Sequence, residues 1–181
     1  MELFNENFFD PLAAAVDADG TWRSREVARL WVLTFVFNLV GGGLFALVFA
    51  VDGTLPTGAA EVLSHTAEEI AGRPTTAEFT KGIVGGALVA LLSFLLEAVD
   101  SVGSRMALAY VVGVLLTLGP FDHVVVTILH VYIGILFGAA VDVSTLASTT
   151  AAVTAGNLVG GVGLVTFSHV AEVVGARDAV D

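Results

Sequence analysis

The sequence predicts an all-α integral membrane protein. Of its 181 residues, 56% are apolar and only 14% are charged, whereas soluble domains carry about a quarter charged residues. Residues 30–51 and 146–168 contain no Asp, Glu, Lys or Arg, and each is long enough to cross a bilayer, which takes roughly 20 residues. Two further apolar regions lie between them, so a chain this short has no polar shell to cover these helices in water.

The alternation of apolar and polar segments defines four membrane spans within a single membrane domain, residues 1–181. The predicted spans are residues 27–51, 79–98, 106–141 and 145–170. Residues 52–78 form a polar, extracytoplasmic loop, and its middle, residues 59–71, is suited to a short surface helix. Residues 100–105 form a tight polar turn.

The third span is too long to be one continuous helix. Its 36 residues would extend over about 54 Å, against a bilayer core of ~30 Å. Gly119-Pro120 interrupts it, because proline has no amide hydrogen and clashes with the preceding turn. A hairpin of two complete helices is the alternative, but too few polar residues surround the break for an interfacial turn. We therefore expect two half-helices in one span, with a non-helical loop near residues 119–122.

A non-helical loop at membrane depth predicts a functional site. Such a loop is tolerated only where it is buried in protein or lines a water-filled cavity. The break therefore points to a pore or a binding site.

The basic residues predict the orientation in the membrane. Five of the seven lie on the side of the C-terminus, and they are Arg23, Arg25, Arg29, Arg105 and Arg177. Only Arg73 and Lys81 lie on the other side. Since cytoplasmic loops are enriched in Lys and Arg, we expect a multi-pass plasma-membrane protein whose C-terminus is cytoplasmic.

The chain contains a candidate internal repeat. The sequence NLVGG at residues 38–42 recurs at residues 157–161, and the second copy follows the His123 break by 34 residues. The first copy follows Asn5, in a similar aromatic and polar interruption, by 33 residues. A break followed by a helix, found twice, indicates an inverted-topology repeat. Chance similarity between two glycine-rich packing helices is the alternative.

The two halves of this repeat are unequal in length. Residues 1–51 are the remainder of the first repeat and residues 79–181 are the second. By symmetry we expect about 45 further residues, one helix and a half, ahead of residue 1. The chain is thus expected to be N-terminally incomplete.

Five motifs, in order and at fitting spacings, resemble the formate/nitrite transporter family over nearly the whole chain. Residues 2–5 (ELFN) resemble the loop of the family's broken second helix, and residues 38–41 (NLVG) its third-helix signature. Residues 82–83 (GI) are similar to the start of the fourth helix. Residues 119–123 (GPFDH) resemble the broken fifth helix with its central histidine, and residues 156–161 (GNLVGG) the sixth.

The resemblance implies an aquaporin-like inverted repeat of three helices, six helices per subunit, with helices two and five broken. It also implies a homopentamer with a pore in each protomer. The implied substrates are small monovalent anions such as formate, nitrite or hydrosulfide, often moved with a proton.

The sequence departs from the family's pattern at three places. Asn5 stands where the family often has Thr, and Gly86 stands where it often has Asn. The family's lysine ahead of the fourth helix has no clear counterpart, which leaves Lys81 and Arg73 as candidates. The pattern is that of a divergent branch of the family.

His123 is the main candidate for the pore. An ionisable residue at membrane depth is costly and marks a functional site by default, although a packing histidine is the alternative. A bare anion loses its hydration in an apolar constriction, and the same desolvation raises the pKa of a weak acid, so that the anion can cross as the neutral acid. Imidazole titrates near neutral pH and can bind the anion and relay that proton.

Three polar residues accompany His123 in the predicted pore. Asp122 is predicted to orient His123 or keep it protonated. Capping of the half-helix that starts at Val124 is the alternative, and the two roles are compatible. Asn5 replaces the hydroxyl group of the family's loop. Lys81 either attracts anions or is a snorkelling side chain at a helix end.

Apolar residues are predicted to narrow the pore. Phe121, Leu116 and Leu3 form the constrictions, unless they are ordinary packing residues. His130, seven residues after His123 on the same helix face, is a weaker candidate for a second pore histidine. Asn38 and Asn157 are interpreted as members of helix-packing motifs.

Composition limits the partners. The net charge is −11, with 18 acidic and 7 basic residues, which speaks against a nucleic-acid partner and suggests adaptation to high salt, where self-repulsion is screened. The predicted partners are the lipid bilayer, small anions and further copies of the chain. No cofactor or metal site is predicted, and the absence of Cys excludes disulfides.

Two other functional classes are less well supported. A truncated, non-transporting subunit that packs with others is the main alternative. An enzyme is not predicted, since the sequence has no HExxH motif and no paired intramembrane Asp. Ser168 and His169 are adjacent and therefore cannot face each other on a helix.

Overall fold

The computed structural model describes residues 7–9, 11–12, 24–169 and 171, and the regular elements of this part of the chain are helices. In chain order they are α1 (Ser24–Phe49), α2 (Ala59–Ala71), α3 (Thr75–Glu97), α4 (Val102–Leu118), α5 (Val124–Leu136) and α6 (Val143–Leu158), which continues as a π-helical segment (Val159–Thr166). Three helices are long and apolar enough to cross a membrane, Arg25–Phe49, Thr75–Glu97 and Val143–His169. The predicted all-α membrane class is confirmed.

Two helices begin earlier than the sequence predicted. α3 starts at Thr75 rather than residue 79, because Pro74 is its N-cap and has ψ 138°, outside the helical region. The first turn of α3 is polar, so hydropathy alone does not identify it as part of the span. α4 starts at Val102, inside the predicted polar turn, because the Ser101 hydroxyl accepts a hydrogen bond from the Ser104 amide at 3.0 Å. The amphipathic α2 has the predicted bounds, 59–71, and packs on α5.

The helices α3 and α6 form the tightest helix pair, because glycines on both allow their backbones to approach closely. A Cβ atom built on Gly82 would lie 2.9 Å from the Val153 carbonyl oxygen, and one on Gly86 would lie 2.5 Å from the Asn157 Cα. Further along, one on Gly160 would lie 2.8 Å from the Ala87 nitrogen. The contacting residue numbers rise together, so α3 and α6 run in the same direction.

This parallel pairing shows how often the chain crosses between α3 and α6. Two parallel spans require an odd number of crossings between them, and α4 and α5 are the helices available there. α4 has 17 residues and α5 has 13, or about 26 Å and 20 Å, so neither spans the ~30 Å core alone. Residues 102–136 therefore form one span in two half-helices, as predicted.

The end of the apolar stretch differs from the prediction. Helix α5 ends at Leu136, and the chain turns at Gly138, whose φ of +96° suits glycine. Residues 137–141 are apolar but form a turn.

The N-terminal residues that the structure describes pack against α5 and α6. Phe8 is fully buried with Val124, Val125, Ile128 and Val153. The Trp31 indole donates a hydrogen bond to the Asn7 carbonyl at 2.8 Å and tethers this segment to α1. Asn5, the break predicted ahead of α1, lies outside the described residues, so the internal repeat stays a prediction.

Candidate functional site

The break between α4 and α5 comprises residues 119–123. The Gly119 amide donates the last helical hydrogen bond of α4, to the Leu115 carbonyl at 2.8 Å. Pro120 then has no amide hydrogen with which to continue the helix. The chain stays non-helical until His123, which has φ −98° and ψ 120° and serves as the N-cap of α5. The predicted loop is confirmed and is one residue longer than expected.

Asn157 of α6 fixes the end of this loop that leads into α5. Its side chain is fully buried. The Oδ1 atom accepts from the Val124 amide at 2.9 Å, and the Nδ2 atom donates to the carbonyls of Asp122 and Gly82, each at 2.8 Å. One side chain thus satisfies an orphan amide at the start of α5 and ties the loop to α3 and α6.

Glycines on α3 make room for the loop. A Cβ atom on Gly85 would overlap the Asp122 backbone, 2.8 Å from its carbonyl carbon. The neighbouring Gly86, where the family often has Asn, packs on the Asn157 backbone. The Asp122 amide also donates to the Lys81 carbonyl at 3.3 Å. The loop therefore lies directly on α3.

His123 is buried, and one of its imidazole nitrogens makes no hydrogen bond to the described residues. The side chain is 4% exposed, and its Nδ1 atom accepts from the Val126 amide at 3.5 Å. A neutral imidazole with Nδ1 as the acceptor carries its proton on Nε2. The Nε2 atom is buried and has no hydrogen-bond partner among the described residues. His123 is thus preset to donate one hydrogen bond to a further group.

Asp122 is paired with a cation from the linker between α2 and α3. Its carboxylate oxygens lie 3.1 and 3.3 Å from Arg73 Nη1 and accept from it. The Thr127 hydroxyl donates to the same carboxylate at 3.4 Å. Of the two roles considered for Asp122, capping of α5 is wrong, since the side chain that caps this helix belongs to His123.

A second acid, Glu78, lies beside this pair. It is 3% exposed although it stands in the first turn of α3. Its carboxyl group lies within hydrogen-bonding reach of the Thr149 hydroxyl on α6 and within electrostatic reach of Asp122 and Arg73. Its Oε1 atom is buried without a hydrogen-bond partner in the described part of the chain.

The other predicted pore residues are distributed around the break. Phe121 and Leu116 are half-buried, in the loop and in the last turns of α4. Lys81 is half-buried on α3 next to the loop, and its ammonium group has no carboxylate within 4 Å among the residues described. Leu3 and Asn5 lie outside the described residues.

His130 is separated from this cluster. It is exposed on α5 and borders a groove that α1 lines with Gly42 and Phe45. Across residues 7–9, 11–12, 24–169 and 171, no group of three or more His, Asp and Glu side chains is placed to hold a metal ion.

Three residues of the site have contacts that the sequence does not predict. Arg73, one of two candidates for the family's lysine, pairs with Asp122. Asn157, predicted to be a packing residue, also holds the break through its hydrogen bonds. Glu78 falls in the predicted polar loop, and the signal that points to it is its position three residues before Lys81, at the start of an apolar run.

Comparison with known proteins agrees with this architecture. Residues 1–171 match the family model described as "Formate/nitrite transporter". No curated protein sequence matches the chain. A solved structure described as an "FNT family ion channel" superposes with a TM-score of 0.75 at 21% sequence identity, covering 93% of this chain and 68% of that one. At this identity the structural likeness concerns the fold, while the family match extends over most of the sequence. The chain belongs to the formate/nitrite transporter family.

Proposed function

We propose that this chain provides a route for small monovalent anions, such as formate or nitrite, and that proton transfer through His123 accompanies their passage. The observation that carries the proposal is the Nε2 atom of His123, which is buried at a break in a membrane span and has no hydrogen-bond partner in the part of the chain that the structure describes. A buried polar group without a partner is destabilising. A site that keeps one is suited to a ligand that supplies the missing acceptor.

The geometry supports a direction for the hydrogen bond. The Val126 amide occupies Nδ1, so a bound anion accepts from Nε2–H. As the anion loses its hydration, its basicity rises. Before this step, Nδ1 takes a proton from a hydronium ion in place of the long Val126 hydrogen bond, which leaves water and an imidazolium. The imidazolium then passes its Nε2 proton to the anion, and the products are the neutral acid and a neutral imidazole with its proton on Nδ1.

The charges around the loop support anion entry. Arg73 compensates Asp122, so the nearest carboxylate does not present a free negative charge to an anion. The Arg73 side chain is 29% exposed, but its pair with Asp122 carries no net charge. Lys81, half-buried in the next turns of α3, is proposed to attract anions on the side of the membrane where α3 begins.

The apolar residues beside the break are proposed to form the constrictions. Phe121 and Leu116 border the loop from its own segment, and Leu3 is assigned to the opposite side by the sequence repeat. Asn5 is proposed to be the polar group that faces His123 there. Such constrictions favour passage of the neutral acid over the hydrated anion.

Assembly and orientation are also proposals. We infer a homopentamer in the plasma membrane with the C-terminus in the cytoplasm. Helix α1 supports this inference, because its surface is suited to contact with lipid or with another copy of the chain. It has the highest mean hydropathy of the three candidate spans, yet only 11% of the residues in its most apolar segment are buried. Its exposed apolar residues include Phe37, Leu44 and Phe45.

The test is proton-linked uptake of formate or nitrite by liposomes that contain the protein and a pH-sensitive dye. His123→Phe should abolish uptake without preventing assembly, because phenylalanine fills similar space but has no nitrogen. His123→Asn keeps a donor but does not titrate, so flux should persist with a flatter pH dependence near neutrality.

The matched control is His130→Phe, which changes the same residue type on the same helix at an exposed position away from the loop. It should leave the rate and the pH profile nearly unchanged. Wild-type behaviour of His123→Phe would contradict the histidine mechanism. Absence of transport by the wild-type protein would favour the non-transporting subunit.

A further inference from the structure

Glu78 is a buried acid that takes no part in the proposed proton transfer through His123. The side chain is 3% exposed and its Oε1 atom has no hydrogen-bond partner among the described residues. Buried carboxyl groups are normally paired or fully hydrogen-bonded. This one stands beside the site instead of at the protein surface.

The groups that face Glu78 come from each neighbouring segment. Arg73 precedes α3, Asp122 comes from the loop, and Thr149 comes from α6. The helix α6 carries no charged residue from Val143 to Leu158. Lys81 lies one turn further along α3, but its ammonium group is not within 4 Å of a carboxylate in the described residues.

One cation in this group already has a carboxylate. Arg73 is bonded to both oxygen atoms of Asp122, and no ion pair within 4 Å joins it to Glu78 in the described structure. While Glu78 is protonated, the positive charge of Arg73 and the negative charge of Asp122 cancel. Without that proton, Glu78 adds a negative charge that no ion pair within 4 Å compensates in the described residues.

We propose that Glu78 sets the charge of the anion site: it is protonated while anions pass, and loss of its proton excludes them. The carboxyl O–H bond breaks, the proton passes to water on the side where α3 begins, and the electron pair stays on Glu78 as a carboxylate. This carboxylate repels an anion that approaches Arg73 and His123. The inference rests on the proposed anion transport, and it makes Glu78 a residue that determines substrate charge.

Three groups oppose protonation. The Thr149 hydroxyl, the Arg73 guanidinium and the N-terminal end of α3 each favour a carboxylate. Loss of hydration at a 3% exposed side chain, the largest of these effects, and the nearby Asp122 carboxylate favour the protonated form. The protonation state of Glu78 is therefore the quantity to measure.

The first experiment compares uptake of formate by liposomes as the pH on the side of α3's first turn is raised. Glu78→Gln keeps the shape and cannot become negative. Its flux at alkaline pH, relative to its own flux at acidic pH, should exceed that of the wild type by about tenfold, since a unit charge within several ångströms acts strongly at low dielectric. Glu69→Gln removes an equal charge from α2, where the side chain is 64% exposed, and should follow the wild type. Identical pH profiles for Glu78→Gln and the wild type would overturn the proposal.

The second experiment needs no transport. The infrared spectrum of the wild-type protein at neutral pH should contain the C=O band of a buried protonated carboxyl group. The band should be absent in Glu78→Gln and retained in Glu69→Gln. Thr149→Val keeps Glu78 but removes its hydroxyl neighbour, so it should shift the band.

These readouts separate the two proposals. If the wild type transports nothing but shows the band, the transport proposal fails and the protonated state of Glu78 stands. If the wild type transports and has no such band, the Glu78 proposal fails alone.

Discussion

The two half-helices on either side of the break differ in their surroundings. Helix α5 packs on α1, α2 and α6, and six of its 13 residues are buried. Helix α4 packs mainly on α3, and of its 17 residues only Val112 is buried. Its residue next to the break, Leu118, is 83% exposed.

Hydropathy therefore specifies that a half-helix lies at membrane depth, but it does not specify which helix packs against it. Both half-helices consist mainly of apolar residues. The buried one has small and polar residues at its contacts: Gly134 lies against α2, and Thr127 lies against Asp122. In a bilayer an exposed apolar face can meet acyl chains at no cost, so close packing requires shape and hydrogen bonds rather than more apolar surface.

The largest effect is expected at the anchor of α5. Asn157→Leu removes the partners of the Val124 amide and the Asp122 carbonyl and places an apolar group among them. The free energy of unfolding should fall by about 3–5 kcal/mol, because several buried polar groups lose their hydrogen bonds at once. Unfolding by SDS in mixed micelles measures this. Ser148→Leu adds the same side chain at an exposed position of α6 and should change little; equal effects would show that Asn157 is not the anchor.

A smaller loss is expected where α5 meets α2. In Gly134→Ala the new Cβ atom would overlap the Ala67 methyl group and lie 2.8 Å from the Leu63 carbonyl oxygen. Neither neighbour is a flexible side-chain end, so unfolding should become easier by roughly 1–3 kcal/mol in the same SDS titration. A neutral result would mean that α2 moves away from α5 without penalty.

Thr127 offers a milder test of the polar contacts of α5. Thr127→Val keeps the shape of the side chain and removes its hydrogen bond to Asp122, which is long at 3.4 Å. A loss of about 1 kcal/mol or less is expected, because Arg73 remains as a partner of the carboxylate. Thermal unfolding in detergent gives the shift, and Thr117→Val on α4, whose exposed hydroxyl donates only to the Gly113 carbonyl, is the control. A larger loss for Thr117→Val would reverse the comparison.

The smallest effect, of opposite sign, is expected on α4. A Cβ atom on Gly113 would meet nothing within 4 Å, so Gly113→Ala should stabilise the helix by about 0.5–1 kcal/mol through the lower entropy of the unfolded chain. The same detergent unfolding measures it. Destabilisation would instead reveal that another copy or another segment covers this face, which would remove the contrast with α5.

The break itself could be predicted almost to the residue. Its position follows from Gly119-Pro120 and from the excess length of the apolar stretch, both of which act within one segment. The start of α3 could not be predicted as well. Buried Glu78 and the neighbouring threonines look like loop residues until α6 supplies Thr149 against them.

The sequence by itself determined the membrane class, the broken span, the place of His123 beside the break and the resemblance to the family. These depend on hydropathy and on the missing amide hydrogen of proline, which are properties of neighbouring residues. Only the tertiary structure decided that Arg73 pairs with Asp122, 49 residues away, and that Asn157 reaches Gly82, 75 residues away. Hydrogen bonds and ion pairs require atoms within about 3 Å, and no local pattern fixes which distant side chains meet until the glycines of α3 and α6 bring the two helices together.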